Sequence, residues 1–325
     1  MKKLINVFLA FFIFNIGMGL ATAQTSPFPQ KPVTMVVPWA AGGGTDNIAR
    51  KYAQRLQTLW GQTVVIENVP GAGSVIGAQR VARAKPDGYT LMMTTNGTMT
   101  GNRFLIKKLP YDPDKDFIPI TQLTDIDMIV LANNALPANN LKEFVALAKS
   151  QPGKITYASY GKGSQPELLF GLFAKRADMQ LLHIPYKGVS PAIAAVMAGE
   201  VDVTLTGRGT AAAAIASGKT KILAIMSDSR DSAIPNVPTS AESGYPYVRV
   251  PTWHGLFAPA NTPAAVIDKI QRDIASIASS PDFKTEMAAL GYQVPANTPT
   301  QFSNVIKEEV KATAQMVEAA GLSPD

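Results

Sequence analysis

Short apolar runs alternate with helical patterns along nearly the whole chain. The runs have the length and the bounding turn residues of buried strands, and the predicted strands are Val33–Val37, Val64–Asn68, Thr90–Thr94, Ile118–Leu123, Met128–Asn133, Ile155–Ser159, Leu181–Pro185, Val201–Leu205, Ile222–Met226 and Gly255–Ala258. Apolar residues at helical spacing predict helices over 46–60, 74–84, 98–106, 140–150, 165–177, 191–198, 210–217, 263–279, 281–289 and 299–320. This alternation predicts a doubly wound α/β fold, and because ten strands exceed one ordinary sheet, we expect two.

No Gly/Ser-rich linker separates two halves of the chain. We therefore expect the chain to cross between two domains along extended segments, at residues 126–134 and again at 246–254. In that arrangement residues 25–125 and 255–325 form the first domain, and residues 135–245 form the second. A cleft would lie between the two sheets, with the carboxyl ends of their strands facing it.

The first 23 residues are predicted to be a cleavable secretory signal peptide. Two lysines precede the apolar run Leu4–Leu20, and Ala21–Ala23 supplies a small-x-small cleavage site. The alternative is a membrane anchor, but the run is short and is interrupted by Asn6 and Asn15. The chain contains no cysteine, so an exported product would rely on its core and not on disulfides. We expect a periplasmic protein.

The charge pattern argues against a nucleic-acid partner. The formal net charge is +6, two units of which belong to the predicted signal peptide, and the basic residues are scattered. No run downstream of the signal peptide is long enough to span a membrane. The composition therefore indicates a mildly basic globular protein.

The most informative stretch is Pro38–Asp46, which reads Pro-Trp-Ala-Ala-Gly-Gly-Gly-Thr-Asp. It joins the strand Val33–Val37 to a predicted helix, so unpaired backbone N–H groups and the positive end of a helix dipole meet at one point. The spacing matches neither the phosphate loop nor the dinucleotide fingerprint. The stretch therefore predicts an anion site, and the alternative is an ordinary tight turn with Thr45 or Asp46 as N-cap.

Three further predicted strands end in similar loops. The loops are Tyr160–Ser164, Tyr186–Pro191 and Thr206–Thr210, and each combines glycine with Ser or Thr before a helix. Glycine permits close approach of a backbone, and Ser or Thr suits a helix start. Four such loops from two domains would make an anion clamp, although the sequence leaves open whether they converge.

Catalytic interpretations find little support. Of the two histidines, His183 lies in an apolar strand and fits a core position, whereas His254 lies near a predicted crossing and is the better candidate to face a cleft. No nucleophile elbow and no metal-type histidine spacing occur. Asp46, Glu167 and Asp202 could act as acid and base, but their spacing does not require it, and Glu167 fits a capping box for its own helix. We predict no catalytic residue, no metal and no cofactor.

Eight motifs in order carry a family resemblance, and they are Pro29–Pro32, Val37–Asp46, Glu67–Gly73, Lys85–Leu91, Leu109–Pro113, Tyr186–Gly188, Asn236–Thr239 and Trp253–Ala260. Over essentially the whole mature chain the sequence resembles the Bug family, the periplasmic receptors of tripartite tricarboxylate transporters. The resemblance implies two doubly wound domains in a type II-like periplasmic-binding-protein arrangement that close on a small organic carboxylate. It also implies a membrane permease as partner, and we expect a monomer.

Carried over position by position, the resemblance implies ligand contacts from the loop after the first strand and from loops of both domains. The implied residues are Trp39, Ala40, Ala41, Gly43, Thr45, Asp46, Thr95, Asn96, Ser159, Gly163, Ser164, Tyr186, Gly207 and Arg208. The chain departs from the family at Glu167, where His is frequent, and at Gly207–Arg208, where Asn or Asp followed by an apolar residue is frequent. Both departures fall on loops expected to contact the variable end of the ligand.

Arg208 lies between two glycines and suits a second carboxylate, because its planar fork makes two charge-assisted hydrogen bonds. The alternative is a solvent-exposed loop arginine. We therefore predict a solute-binding protein for a dicarboxylate, and Trp39 makes an aromatic diacid a candidate. Two other functions remain open, a periplasmic enzyme acting on carboxylates through Asp46 or His254 and a ligand sensor with a signalling partner.

Overall fold

The structure is a computed structural model that describes residues 28–161, 164–227, 230–231, 233–249, 252–319, 321 and 323. The predicted signal peptide lies outside these residues. The strands are β1 (Val33–Val37), β2 (Val64–Asn68), β3 (Thr90–Thr95), β4 (Phe117–Ile126), β5 (Met128–Asn133), β6 (Thr156–Ser159), β7 (Leu182–Pro185), β8 (Val203–Gly207), β9 (Thr220–Ile225), β10 (Thr252–Pro259) and β11 (Tyr292–Gln293). The helices are α1 (Gly44–Trp60), α2 (Val75–Ala82), α3 (Asn102–Leu105), α4 (Leu141–Ser150), α5 (Gln165–Ala177), α6 (Val189–Ala198), α7 (Ala212–Ala216), α8 (Ala264–Ser279), α9 (Pro281–Ala289) and α10 (Pro299–Ala319).

The strands form two sheets, and both sheets combine a parallel block of three strands with antiparallel strands at one side. The first sheet runs β11-β4-β10-β3-β1-β2 and the second runs β7-β6-β8-β5-β9. In each sheet three successive strands pair in parallel, β1 with β2 and β3 in the first and β6 with β7 and β8 in the second. One antiparallel strand, β10 or β5, then joins that block to the last strands. This confirms the predicted mixed α/β fold with two sheets.

Parallel pairing brings the carboxyl ends of neighbouring strands to one edge of each sheet. The loop after β1 and Asn96 after β3 therefore share an edge of the first sheet, and the segments after β6 and β8 share an edge of the second. The chain passes from the first sheet to the second at Asp127, between β4 and β5. How the residues divide into domains stays a prediction.

Each sheet is covered by helices that bury one apolar face. In α1 the buried side chains Ile48, Tyr52 and Leu56 recur at intervals of four residues and pack with Met35 of β1. Each large apolar side chain buried in this way stabilises the fold by about 1.5–3 kcal/mol. A second cluster, which includes Phe144, covers the second sheet.

Helix α10 contacts the cores of both sheets. Near its start, Phe302 packs against Trp253 and Phe257 of β10, and near its end Met316 and Val317 join the cluster of the second sheet. The helix therefore connects the two halves of the molecule independently of the strands.

The predicted elements differ from the observed ones mainly at their ends. Each of the ten predicted strands coincides with an observed strand to within a few residues. Strand β11 was missed because two residues are too few to show an alternation of apolar and polar positions. The predicted helix over 98–106 is in fact a π-helical turn, Gly97–Gly101, followed by α3. No described helix combines the length and hydrophobicity that crossing a bilayer requires.

Candidate functional site

The loop after β1 is held in shape by the buried carboxylate of Asp46. One oxygen, Oδ2, accepts the Gly42 N–H at 2.8 Å and the Arg50 Nε–H at 3.0 Å, and Oδ1 accepts Asn68 Nδ2 at 3.0 Å. Asn68 also donates to the Trp39 carbonyl at 3.1 Å. Burial opposes ionisation, but these hydrogen bonds and the Arg50 charge outweigh it and lower the pKa of Asp46. Asp46 therefore shapes the loop, since both its oxygens are occupied.

Helix α1 begins without a side-chain cap. Its N-cap is Gly43, which has no side chain, so the expectation of Thr45 or Asp46 as N-cap is wrong. The N–H groups of the first turn therefore have no capping side chain. The tight turn is present, with the Gly43 N–H donating to the Ala40 carbonyl at 3.4 Å. Gly44 and Thr45 border a cavity described below.

Thr45 is connected to β10 through His254. The Thr45 hydroxyl lies 3.2 Å from His254 Nε2, and His254 Nδ1 lies 2.7 Å from the Thr124 hydroxyl. Complete burial lowers the pKa of His254 to about 3, so the imidazole is neutral at neutral pH. The Tyr292 ring meets the imidazole edge-on with ring centres 6.2 Å apart. His254 therefore positions Thr45 and is not a candidate acid or base.

Gln165, the first residue of α5, connects the second half of the molecule to the first. Its Nε2 donates to the Thr252 hydroxyl at 2.7 Å and to Asn96 Oδ1 at 3.3 Å. Asn96 in turn donates to the buried carboxyl of Glu309 on α10, which also accepts the Trp253 indole N–H. Burial raises the pKa of Glu309 to about 7, although these two hydrogen bonds oppose the rise.

Two adjoining cavities lie between the sheets, and residues of both sheets border each. We call the cavity of about 780 Å³ the large chamber and that of about 160 Å³ the small chamber. The large chamber is lined by Trp39, Thr45, Ala72, Gly73, Thr95, Asn96, Gly97, Gly101, Asn102, Leu105, Ile106, Tyr160, Ser164, Gln165, Gly188, Val189 and Thr252. The small chamber is lined by Gly44, Thr45, Ile126, Met128, Tyr160, Gln165, Val189, Thr206, Gly207, Gly209, Thr210, Thr252, His254, Leu290 and Tyr292.

The structure brings part of the predicted site together at these chambers. The predicted residues that line them are Trp39, Thr45, Thr95, Asn96, Ser164 and Gly207. Ala40, Ala41 and Gly43 lie on the exposed loop outside the lining of either chamber. Gly163 lies outside the described residues. Tyr186 also stays outside the lining, and its backbone N–H donates to the Ser159 carbonyl at 2.9 Å.

Ser159 is fully buried below the loop after β6 and contacts His183. The Ser159 hydroxyl lies 2.6 Å from His183 Nε2, and His183 Nδ1 lies 3.7 Å from a Glu167 oxygen. His183 is only partly buried and stacks on Tyr157, so it is not the core histidine that the sequence favoured. Burial lowers the pKa of His183, and the Glu167 charge opposes this. Ser159 has no exposed surface and lines neither chamber.

The predicted capping box at the start of α5 is wrong. Ser164 is the N-cap residue, but its side chain makes no capping hydrogen bond and instead accepts the Tyr160 N–H at 3.2 Å. Glu167 lies beside His183, and the Ser164 N–H that the capping box would use donates to the Gly161 carbonyl at 3.1 Å.

Arg208 does not reach either chamber. Its Nε donates to Asp231 at 2.6 Å and its Nη2 donates to the Ala288 carbonyl at the end of α9 at 3.2 Å. The two side chains of the ion pair are 17% and 22% exposed, so the guanidinium is neither a loose surface group nor free in the cleft. Both interpretations of Arg208 from the sequence therefore differ from the structure. Arg208 connects the loop after β8 to α9.

Several lining residues escaped prediction. Leu105 and Ile106 form an apolar wall of the large chamber, but in the sequence they read as the core face of a helix. Tyr160 and Gln165 flank a predicted contact loop, and their place at the end of a strand and the start of a helix could have indicated them. Thr252 at the start of β10 carried no signal.

The two sheets and the cleft between them define the class of two-domain periplasmic binding proteins. Residues 48–322 match the model of the tripartite tricarboxylate transporter family receptor, and the chain belongs to that family, to which the Bug proteins also belong. It is a solute-binding receptor and not an enzyme, which settles the enzymatic alternative.

Three solved structures illustrate the likeness. The periplasmic binding protein BugD is 37% identical, with a TM-score of 0.80 over 92% of this chain and all of that chain. An R. palustris protein solved with adipate is 27% identical, with a TM-score of 0.85 over 92% of this chain and all of that one. MatC from Rhodopseudomonas palustris, solved with bound malate, is 34% identical, with a TM-score of 0.79 over 89% of this chain and all of MatC.

Proposed function

We propose that this protein captures a small organic carboxylate between its two sheets by domain closure and delivers it to a membrane permease. The observation that carries the proposal is the start of α1, where Gly43 supplies no cap and Gly44 and Thr45 border the small chamber. Uncapped N–H groups at a helix start attract an anion, because the helix dipole places partial positive charge there. The adipate and malate of the two relatives are carboxylates.

The two-sided walls of the chambers support the proposed closure. Thr45 and Thr252 belong to the side of the first sheet, and Tyr160 and Val189 belong to the side of the second. A ligand that touches both sides binds the closed form more tightly than the open form, and so shifts the population toward closure. The closed form is the state that a permease would distinguish from the empty receptor.

The cellular setting belongs to the same proposal. Export by the signal peptide at residues 1–23 would place the receptor in the periplasm, where it acts as a monomer beside its permease. Deletion of the gene should abolish uptake of the ligand into cells, and a signalling defect with normal uptake would favour a sensor instead.

The expected preference for a dicarboxylate loses its basis in Arg208. That preference required a guanidinium free to reach the ligand, whereas the Arg208 guanidinium is paired with Asp231 and hydrogen-bonded to Ala288. The number of carboxylates must therefore be argued from the chambers themselves.

The proposal is tested by thermal denaturation with mono-, di- and tricarboxylates, since a ligand of the native state raises Tm by mass action. For the best binder, Thr45→Val should weaken binding about tenfold, because a hydroxyl that borders both chambers is lost. Thr58→Val is the matched control, because Thr58 lies exposed on the same helix. If no carboxylate raises Tm, the protein is not a carboxylate receptor.

A further inference from the structure

The two chambers differ in chemistry. The large chamber has apolar walls on both sides of the cleft, with Trp39, Leu105 and Ile106 on the side of the first sheet and Val189 on the side of the second. Backbone of several glycines completes the wall. Its volume of about 780 Å³ lies in the range that holds drug-sized ligands, far more than a single carboxylate needs.

The small chamber has a larger share of polar lining than the large chamber, although Ile126, Met128 and Leu290 also border it. Hydroxyls of Thr45, Thr206 and Thr252 and the start of α1 border its volume of about 160 Å³. The Thr206 hydroxyl is buried beside the Tyr160 phenol, and both residues border this chamber. A ligand oxygen or a water in the chamber would add a hydrogen-bond partner for these hydroxyls.

The two asparagine side chains of the large chamber already have hydrogen-bond partners. Asn96 bonds to Gln165 and Glu309, and Asn102 donates to the Gly73 carbonyl at 3.0 Å and the Tyr111 hydroxyl at 3.1 Å. None of the described residues that line either chamber has a charged side chain. Among the described residues, a second carboxylate in the large chamber would therefore gain no cationic partner to offset the costly loss of its hydration.

We propose that the ligand is a carboxylate with one ionised group and a sizeable apolar body. The carboxylate enters the small chamber beside the start of α1, and the apolar body fills the large chamber between Trp39, Leu105 and Ile106. This inference rests on the proposed carboxylate-binding function and narrows it to amphiphilic monocarboxylates. The chambers thereby discriminate against di- and tricarboxylates of the same length.

The test compares hexanoate with adipate, which is hexanoate with a carboxylate in place of the terminal methyl group. Calorimetry on the mature protein should show hexanoate bound about tenfold or more tightly than adipate, and 4-phenylbutanoate bound at least as tightly as hexanoate. Equal or tighter binding of adipate would overturn the inference but leave the proposed function standing. Failure of every mono-, di- and tricarboxylate to bind would instead reject the proposed function itself.

A charge placed in the apolar wall provides the second test. Leu105→Arg should reverse the preference in favour of adipate, because the guanidinium supplies the missing partner for a second carboxylate. Leu59→Arg is the matched control, since Leu59 is 51% exposed on α1 and borders neither chamber, and it should leave the preference unchanged. If Leu105→Arg does not fold, Leu105→Asn should still weaken hexanoate and spare adipate. An unchanged preference in the folded Leu105 variant would contradict the assignment of the apolar body to the large chamber.

Lys162 lies outside the described residues, next to lining residues in the sequence, and is tested directly. Lys162→Met should leave the ratio of hexanoate to adipate affinities unchanged. A selective loss of adipate binding in this variant would mean that a second carboxylate has a cationic partner, and the inference would be wrong.

Discussion

The Thr45 hydroxyl and His254 Nε2 lie 3.2 Å apart, and this hydrogen bond connects the first turn of α1 to β10 beside the small chamber. The imidazole makes this contact in its neutral form, because burial lowers the pKa of His254 to about 3. Between pH 6.5 and 3 the unfolded chain binds a proton at this residue that the folded protein does not. Stability therefore decreases as the pH falls through this window, and it is fully present above pH 6.5.

We predict that His254 alone lowers the free energy of unfolding by roughly 2 kcal/mol when the pH falls from 6.5 to 5. Urea denaturation of the ligand-free protein at a series of pH values measures this cost. His254→Gln should be less stable at pH 7 but should show a weaker decrease toward pH 5. An identical slope in the variant and the native protein would show that His254 does not stay neutral.

Glu309 should give the opposite pH dependence, because burial raises its pKa to about 7. Between pH 4.5 and 7 the folded protein holds a proton that the unfolded chain has lost, so this residue's contribution to stability decreases as the pH rises. The unfolding free energy of Glu309→Gln minus that of the native protein should therefore increase by roughly 1–3 kcal/mol between pH 5 and pH 8. Glu308→Gln is the matched control on the exposed face of α10. A constant difference between Glu309→Gln and the native protein at all pH values would contradict the raised pKa.

The strands and the loop after β1 were predictable because their signals are local. Runs such as Val33–Val37 are rich in β-branched residues, as buried strands are, and the glycines before Thr45 predict a turn into a helix. The role of Asp46 was not predictable, because its partner Asn68 comes from the next strand, and pairing between strands leaves no local mark.

The site residues that were missed or misplaced depend on contacts distant in the chain. Arg208 was expected to face the ligand, but Asp231 and Ala288 occupy its guanidinium, and no pattern near Arg208 indicates either partner. In the sequence, Leu105 and Ile106 have the pattern of ordinary core residues. Only the position of the second sheet opposite them shows that they line a cleft. A wall formed only by two facing halves cannot be recognised from either half alone.

Gly209 permits a close approach between the loop after β8 and the segment after α9. A Cβ atom at position 209 would overlap the Leu290 carbonyl oxygen. Gly209→Ala should therefore hold the two halves apart and weaken every carboxylate ligand about tenfold, whatever its body. Calorimetry gives the affinity, and small-angle scattering should show a larger radius of gyration with ligand bound. Native affinity in the variant would mean that this approach plays no part in closure.

Arg208→Ala should destabilise the protein rather than change its ligand preference. The substitution leaves the Asp231 carboxylate, which is only 22% exposed, without its partner, and we expect a loss of roughly 1–3 kcal/mol in unfolding free energy. Arg230→Ala, which breaks the more exposed pair with Glu242, should cost less than about 1 kcal/mol. Affinities for hexanoate and adipate should fall by the same factor in Arg208→Ala. A loss confined to adipate would restore Arg208 as a ligand residue.

Trp39 should contribute affinity in proportion to the apolar surface of the ligand. Its ring borders the large chamber and packs on the core of the first sheet, while its buried Nε1 has no hydrogen-bond partner among the described residues. Trp39→Ala should weaken the binding of 4-phenylbutanoate by roughly 1–3 kcal/mol, because apolar contact area is lost, and should affect the binding of acetate little.

Trp39→Phe keeps an apolar ring without the unpaired N–H and should retain most of the affinity. Trp60→Ala removes a tryptophan that borders neither chamber and donates to Asp273 at 2.6 Å, and it controls for lost stability. Equal losses for acetate and 4-phenylbutanoate in Trp39→Ala would show that Trp39 supports the loop and not the body of the ligand.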